Sequence, residues 1–92
     1  MQNFTLAQYN DAVSLFEKDQ FDAALMKFND IITKGTNNSF VYYYRGLIYD
    51  EQKKYKLAVD DYNEFMSIYK TDDEYLQYIK ARVEELKPYI GG

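Results

Sequence analysis

The sequence predicts an all-α fold built from a repeated pair of helices. A step of 34 residues aligns two copies of one pattern, in which Phe21 matches Tyr55, Phe28 matches Tyr62, Ile31 matches Phe65, Ala24 matches Ala58, Leu25 matches Val59 and Ala12 matches Gly46. Within each copy, apolar residues recur every three or four positions, which is the spacing of an amphipathic helix. A repeated helix-turn-helix unit buries its apolar face by stacking on a neighbour. The pattern therefore favours a binding function over catalysis.

The first helix is predicted to begin at Thr5. Thr5 and Gln8 have the spacing of a capping box, in which each side chain satisfies a backbone N–H, and Phe4 can pack on Tyr9 as a hydrophobic staple. The polar stretch 17–20 interrupts the apolar spacing. We therefore expect a turn there.

The second helix is predicted to run from Phe21 to Gly35, which ends it as a left-handed C-cap. Loop 36–39 offers the next N-cap, and the third helix is expected over about 40–52. The run 40–44 (FVYYY) also suits a strand. The 34-residue register overrules that alternative, because the matching positions of the first copy are helical.

The fourth and fifth helices follow the same reasoning. The fourth is predicted over about 55–69, after a turn at Lys53 and Lys54. Thr71 to Glu74 has the spacing of a second capping box, so a fifth helix is expected after it. That helix is predicted to close before Pro88, because the residue preceding proline is disfavoured in helical geometry.

The composition excludes several classes of function. The 92 residues include no cysteine and no histidine, which excludes disulfides and thiolate metal sites and removes the commonest metal ligand and general base. We therefore expect no enzymatic activity, no metal and no cofactor. The net charge of −4 disfavours nucleic acid and anionic membranes as partners, because both are bound mainly through lysine and arginine.

No segment of the sequence predicts export or membrane insertion. No run of 18 apolar residues occurs, and Asp11, Glu17 and Asp19 lie where a signal peptide needs a basic start and an apolar core. We expect a single cytoplasmic domain. Adjacent acids such as Asp60 and Asp61 are predicted to be solvated, since neighbouring helical residues do not converge on one point.

The aligned residues resemble the tetratricopeptide repeat (TPR) family, in which each helical pair carries small residues at two fixed positions and bulky residues at five others. The small positions hold Ala12 and Ala24 in the first copy, and Gly46 and Ala58 in the second. The resemblance implies a TPR-type α-α superhelix, with repeat one at 5–38, repeat two at 39–72, a capping helix at 73–87 and a tail at 88–92. Its capping stripe would be Tyr75, Leu76, Ile79, Val83 and Leu86, with Lys80, Glu84 and Lys87 facing water.

The resemblance also implies a concave groove lined by the first helix of each unit. Carried over residue by residue, the residues of this predicted groove that are expected to bind the ligand are Tyr9, Asn10, Val13, Phe40, Tyr43, Tyr44, Leu47, Asp50, Glu51, Glu74 and Tyr78. It is aromatic in the middle and acidic at the rim, where the six carboxylates are Glu17, Asp50, Glu51, Glu74, Glu84 and Glu85 and no basic residue is expected. The implied ligand is a peptide, extended or helical, with apolar and basic residues.

Two alternatives compete with peptide binding. The aromatic surface, or the open flank of repeat one, could pair with a second copy of the chain, since two repeats fall short of the three usually needed for stability. The tyrosines could also be structural, and core packing alone accounts for Tyr42, Tyr49, Tyr55 and Tyr62. The acidic rim would then be an ordinary solvated face.

Overall fold

A computed structural model describes the backbone of residues 2–91 and the side chains of residues 6–91. Residues 2–91 form five α-helices and no strand, which confirms the predicted all-α class. The helices are α1 (Gln2–Glu17), α2 (Phe21–Lys34), α3 (Ser39–Glu51), α4 (Tyr55–Ile68) and α5 (Glu74–Ile90). Each helix packs on the next one along the chain, and α1 also contacts α3. The strand-like run 40–44 lies inside α3, as the 34-residue register predicts.

The turn between α1 and α2 has the same geometry as the turn between α3 and α4. Asp19 and Lys53, which are 34 residues apart, have positive φ angles of 62° and 63°. Asp19 donates its N–H to the Phe16 carbonyl at 2.9 Å, and Lys53 donates to the Asp50 carbonyl at the same distance. Non-glycine residues seldom adopt this conformation. The period of the sequence is therefore also a period of the backbone.

Small residues occupy the places where the helices approach each other closely. Ala12, Ala24 and Ala58 are completely buried. A Cβ added at Gly46 would lie 2.7 Å from Cε1 of Tyr62, which is itself completely buried and has no room to move aside. The backbones of α3 and α4 therefore approach too closely at this point to admit a side chain.

The core consists of two apolar clusters. The first joins α1, α2 and α3 through Ala12, Ala24, Phe28, Ile31, Val41 and Ile48. The second joins α4 and α5 through Ala58, Val59, Tyr62, Phe65, Leu76, Ile79, Val83 and Leu86. Each large apolar side chain buried in this way contributes roughly 1.5 to 3 kcal/mol. The exposed side chains of Lys80, Glu84 and Lys87 confirm which face of α5 meets water. Of the predicted capping stripe, Leu76, Ile79, Val83 and Leu86 are buried, whereas Tyr75 packs on Phe40 and Tyr43 of α3 but remains 45% exposed.

The N-termini of α1 and α5 differ from the sequence-based prediction. Helix α1 already includes Gln2 and does not start at Thr5. The predicted capping box at Thr5 and the staple from Phe4 lie outside the described side chains. The N-cap of α5 is Asp73, whose carboxylate accepts a backbone N–H of the first turn at 3.2 Å, so Thr71 does not cap this helix.

The C-termini of α2 and α5 also depart from expectation. Gly35 ends α2 with a positive φ of 91°, as predicted, but its ψ of 125° lies outside the left-handed helical region. Helix α5 continues through Pro88 to Ile90, although it was predicted to close before the proline. The ring of Tyr89 lies 5.1 Å from that of Tyr55, and Ile90 packs on the second cluster. These contacts hold the last turn in place despite the missing N–H donor.

A partly buried ion pair joins α3 and α4, and its arginine also bonds to α2. Arg45 donates from Nε and Nη2 to the two carboxylate oxygens of Asp61, both at 2.8 Å, and from Nη1 to Asn29. Burial raises the pKa of Asp61 even though Arg45 opposes it. Asp60 is exposed as predicted, whereas Asp61 is only 4% exposed, so the prediction that it is solvated is wrong.

We expect Gly46→Ala to destabilise the fold. The added methyl group would meet the buried ring of Tyr62, and overpacking of this kind costs about 1 to 3 kcal/mol. The free energy of unfolding, measured by urea denaturation, should fall by that amount. The control is Ser14→Ala at an exposed position of α1, which should change it by less than about 0.5 kcal/mol. Equal stability of Gly46→Ala and wild type would show that α3 and α4 do not approach as described.

Candidate functional site

Tyr44 connects α3 with the first helical pair through its ring. Its centroid lies 5.1 Å from that of Phe16 and 6.3 Å from that of Tyr9, both on α1. The ring also stacks on Phe28 of α2 at 5.9 Å and 4°. These distances are typical of favourable aromatic pairs. Tyr44 therefore packs against the first core cluster and remains partly exposed.

Tyr43 connects α3 with α4 and α5 in the same way. Its centroid lies 5.2 Å from that of Tyr44, 5.4 Å from that of Phe65 and 5.7 Å from that of Tyr75. Successive residues of an α-helix point about 100° apart, so adjacent tyrosines can serve opposite neighbours. Phe40 packs on Tyr43 at 5.4 Å. The rings on α1, α3 and α5 therefore form one aromatic array, which consists of Tyr9, Phe16, Phe40, Tyr43, Tyr44 and Tyr75.

Three tyrosines of the array, Tyr9, Tyr43 and Tyr44, have a raised pKa. Burial, followed by the neighbouring phenols of Tyr44 and Tyr75, raises the pKa of Tyr9 to about 12 and that of Tyr43 to about 12. Burial also raises the pKa of Tyr44, and the nearby carboxylate of Glu17 adds to this effect. Near neutral pH these groups are therefore uncharged and can donate hydrogen bonds.

A cleft of about 460 Å³ lies beside the aromatic array. It is lined by Phe16, Phe21, Leu47, Asp50, Glu51, Lys53, Tyr55, Tyr78, Arg82 and Glu85. No Cα atom of α3 lies within 8 Å of a Cα atom of α5, two helices that the structure describes completely. Side chains therefore bridge the space between α3 and α5, and the cleft opens between them. Its volume lies in the range of pockets that bind small ligands.

The carboxylate of Asp50 joins three helices inside the cleft. It accepts from Nε and Nη2 of Arg82 on α5, both at 2.8 Å, and from the hydroxyl of Tyr62 on α4, also at 2.8 Å. Nη1 of Arg82 also donates to Glu85 at 3.2 Å. Burial alone would raise the pKa of Asp50, but these hydrogen bonds and the charge of Arg82 outweigh it and hold the pKa below its usual value. Asp50 is therefore engaged within the chain and is not a free carboxylate at a rim.

The structure brings most of the predicted groove together in two places. Tyr9, Phe40, Tyr43 and Tyr44 belong to the aromatic array, and Leu47, Asp50, Glu51 and Tyr78 line the cleft. Val13 is half-buried against the first core cluster. Asn10 and Glu74 are exposed and belong neither to the ring pairs of the array nor to the cleft lining.

The expectation that the predicted groove contains no basic residue is wrong. Arg82 and Lys53 both line the cleft, and Arg82 is paired with Asp50 and Glu85. Arg82 could have been found from the sequence, because it follows Tyr78 by four residues and therefore lies on the same face of α5. Tyr75 lies on that face too. The predicted capping stripe of α5 includes Tyr75, and its ring packs on Phe40 and Tyr43 of α3.

Comparisons with models of protein families, with curated proteins and with solved structures find no match to this chain. Within residues 2–91, no helix has the length and apolar character needed to cross a bilayer. In the same part of the chain, no three histidine, cysteine, aspartate or glutamate residues are grouped so that they could hold a metal ion.

We expect Asp50→Asn to destabilise the fold in a pH-dependent manner. At neutral pH the variant loses a charged partner of Arg82, at a cost of about 2 kcal/mol. Because the pKa of Asp50 is lowered in the folded state, its contribution is present above the pKa of the unfolded chain and is lost as the pH falls through the folded pKa. Urea denaturation at neutral pH and at about pH 3 should therefore show the difference from wild type shrinking in acid.

The matched control for this measurement is Asp61→Asn, which changes the other bidentate ion pair. The pKa of Asp61 is raised in the folded state, so the folded chain binds this proton more tightly than the unfolded chain. The resulting contribution to the free energy of unfolding is present in acid and is lost as the pH rises through the folded pKa. The two variants should therefore differ from wild type with opposite pH dependence. The same trend in both would contradict the assignment of Asp50 as a charge stabilised by its neighbours.

Proposed function

We propose that the chain is a protein interaction module of the tetratricopeptide repeat type, which binds a peptide along the aromatic array and the cleft between α1, α3 and α5. The observation that carries this proposal is the continuous row of half-buried rings beside an open cleft. The recurrence of the same turn after 34 residues supports the TPR-type superhelix. A rigid scaffold of helical pairs with one aromatic face is suited to binding.

Tyrosine is well suited to peptide recognition at this surface. Its ring gives a large contact area with little rotamer entropy to lose, and its hydroxyl can bond to a peptide backbone. The rings of Tyr43 and Tyr44 are already fixed by their neighbours, so little ordering is required on binding. Tyr78 is 51% exposed and is free to bury more of its surface against a ligand.

The charges at this surface favour a partner whose basic residues lie beside the exposed carboxylates. Glu17, Glu51 and Glu74 are exposed carboxylates along α1, α3 and α5. The carboxylates of Asp50 and Glu85 are instead engaged by Arg82. We therefore propose that lysine or arginine of the partner lies near the exposed carboxylates, where it mainly accelerates association. With a net charge of −4, a protein partner fits better than nucleic acid.

The test is selection of peptides from a displayed random library on the full chain, followed by measurement of the dissociation constant of the selected peptides. Tyr78→Ala should weaken binding about ten-fold, or 1.4 kcal/mol, because an aromatic residue at an interface often contributes this much. Its exposure means that the fold should be retained. Leu57→Ala on α4 is the control, since Leu57 is similarly exposed at 46% but lies outside the array and the cleft.

Further variants address the hydroxyl groups of the array. Tyr43→Ala and Tyr44→Ala would disturb core packing, so Tyr43→Phe and Tyr44→Phe are better tests, because they remove only the oxygen. Light scattering across concentration identifies self-association of the chain, the alternative use of this surface. Failure to select any peptide, or equal weakening by Tyr78→Ala and Leu57→Ala, would contradict the proposed function.

A further inference from the structure

The chain contains two arginine–aspartate pairs with the same geometry, and in one of them the guanidinium is covered by aromatic rings. Arg45 binds Asp61 through two hydrogen bonds of 2.8 Å. Its Cζ lies 6.0 Å from the ring centroid of Tyr42 and 5.6 Å from that of Tyr49. A guanidinium over an aromatic face is attracted by the electrons of the ring. The edge of this guanidinium is thus neutralised by a carboxylate, and its face is covered by tyrosine.

The guanidinium of Arg82 is paired at its edge, but no aromatic ring among residues 6–91 covers its face. Arg82 binds Asp50 through the same two hydrogen bonds, again at 2.8 Å, and Glu85 accepts a third. Among residues 6–91, no aromatic ring lies over this guanidinium as Tyr42 and Tyr49 lie over Arg45. Arg82 instead lines the cleft, and its side chain remains 30% exposed.

The other walls of the cleft match a planar apolar group. Phe16, Phe21, Leu47 and Tyr78 contribute apolar surface. An acidic side chain would meet Glu51 and Glu85 and would compete with the existing pair of Arg82. A basic side chain could pair with Glu51 at the edge of the cleft, but it would not lie favourably on the Arg82 guanidinium, because both groups are positively charged. An aliphatic side chain would cover the guanidinium without the attraction that an aromatic ring provides.

We propose that the cleft receives an aromatic side chain of the partner peptide, which lies on the face of the Arg82 guanidinium. The partner then supplies for Arg82 the ring that Tyr42 and Tyr49 supply for Arg45. Asp50 acts as a positioning residue, because its two hydrogen bonds hold the guanidinium in the cleft. This inference rests on the proposed function and specifies which side chain of the peptide is the anchor.

The test uses N-acetyl-L-tryptophanamide as the probe and N-acetyl-L-leucinamide as its apolar control, each titrated into the full chain and followed by ¹H–¹⁵N NMR. The tryptophan probe should shift the amide signals of cleft residues such as Leu47, Tyr78 and Arg82 in a saturable manner. The leucine probe should bind at least about three-fold more weakly, since it lacks the cation–π contact. Equal binding of the two probes, or shifts confined to other surfaces, would overturn the proposal.

Arg82→Lys tests the planar face directly, because lysine keeps the positive charge near Asp50 but lacks the flat guanidinium. It should weaken binding of the tryptophan probe roughly five-fold. The matched control is Arg45→Lys, which changes the equivalent pair outside the cleft and should leave probe binding unchanged. Tyr78→Ala, at an exposed position, gives a second test in case Arg82→Lys is poorly folded, and it too should weaken the probe. Unchanged binding in both cleft variants would contradict the anchor site.

The library-selected peptides separate this inference from the proposed function. If peptides bind in a Tyr78-dependent manner and each loses at least about five-fold in affinity when its aromatic residue is replaced by leucine, the anchor is supported. If they bind the same surface with no aromatic residue, or with no response to Arg82→Lys, the anchor is wrong and the proposed function stands. If no peptide is selected but the tryptophan probe still binds in the cleft, the proposed function fails and the aromatic-binding site remains.

Discussion

The buried side chain of Tyr62 connects the packing of the helices with the chemistry of the cleft. Its ring fills the space left by the missing side chain of Gly46, which lets α3 and α4 approach closely. That position brings the Tyr62 hydroxyl to the carboxylate of Asp50 at 2.8 Å. Asp50 in turn holds Arg82 of α5. The location of a surface guanidinium is thus determined by how tightly two helices pack in the core.

The two arginine–aspartate pairs are similar in geometry but opposite in electrostatics. For Asp61, loss of water outweighs the attraction of Arg45, so the pKa is raised. For Asp50, the hydrogen bonds from Arg82 and Tyr62 outweigh the loss of water, so the pKa is lowered. Removing one partner of a buried pair leaves an uncompensated charge, even where the pair itself adds little net stability. The Arg45 pair therefore serves mainly to fix how α3 packs on α4, whereas the Arg82 pair fixes a charged group at an open surface.

The sequence predicted the helical class, the number of helices and the turns, because those features depend on local spacing and on a period visible along the chain. The predictions were wrong where contacts between residues far apart in the sequence determine the structure. Whether Pro88 ends α5 depends on the contacts of Tyr89 and Ile90 with the rest of the protein, which local backbone preferences do not contain. The burial of Asp61 did have a signal, since it lies three residues after Ala58 and four before Phe65 on the apolar stripe of α4. The pairing of Asp50 with Arg82 had none, because it depends on the distance between α3 and α5.

Helix α5 has two roles that are physically linked. It covers the second core cluster through Leu76, Ile79, Val83 and Leu86, and an adjacent face supplies Tyr78 and Arg82 to the cleft. Only side chains bridge α3 and α5. A ligand seated between these two helices would therefore add contacts that depend on α5 remaining packed in its place. A ligand at 100 times its dissociation constant stabilises the form that binds it by about 2.7 kcal/mol. A ligand bound in the proposed site would therefore also stabilise the packing of α5 on the rest of the chain.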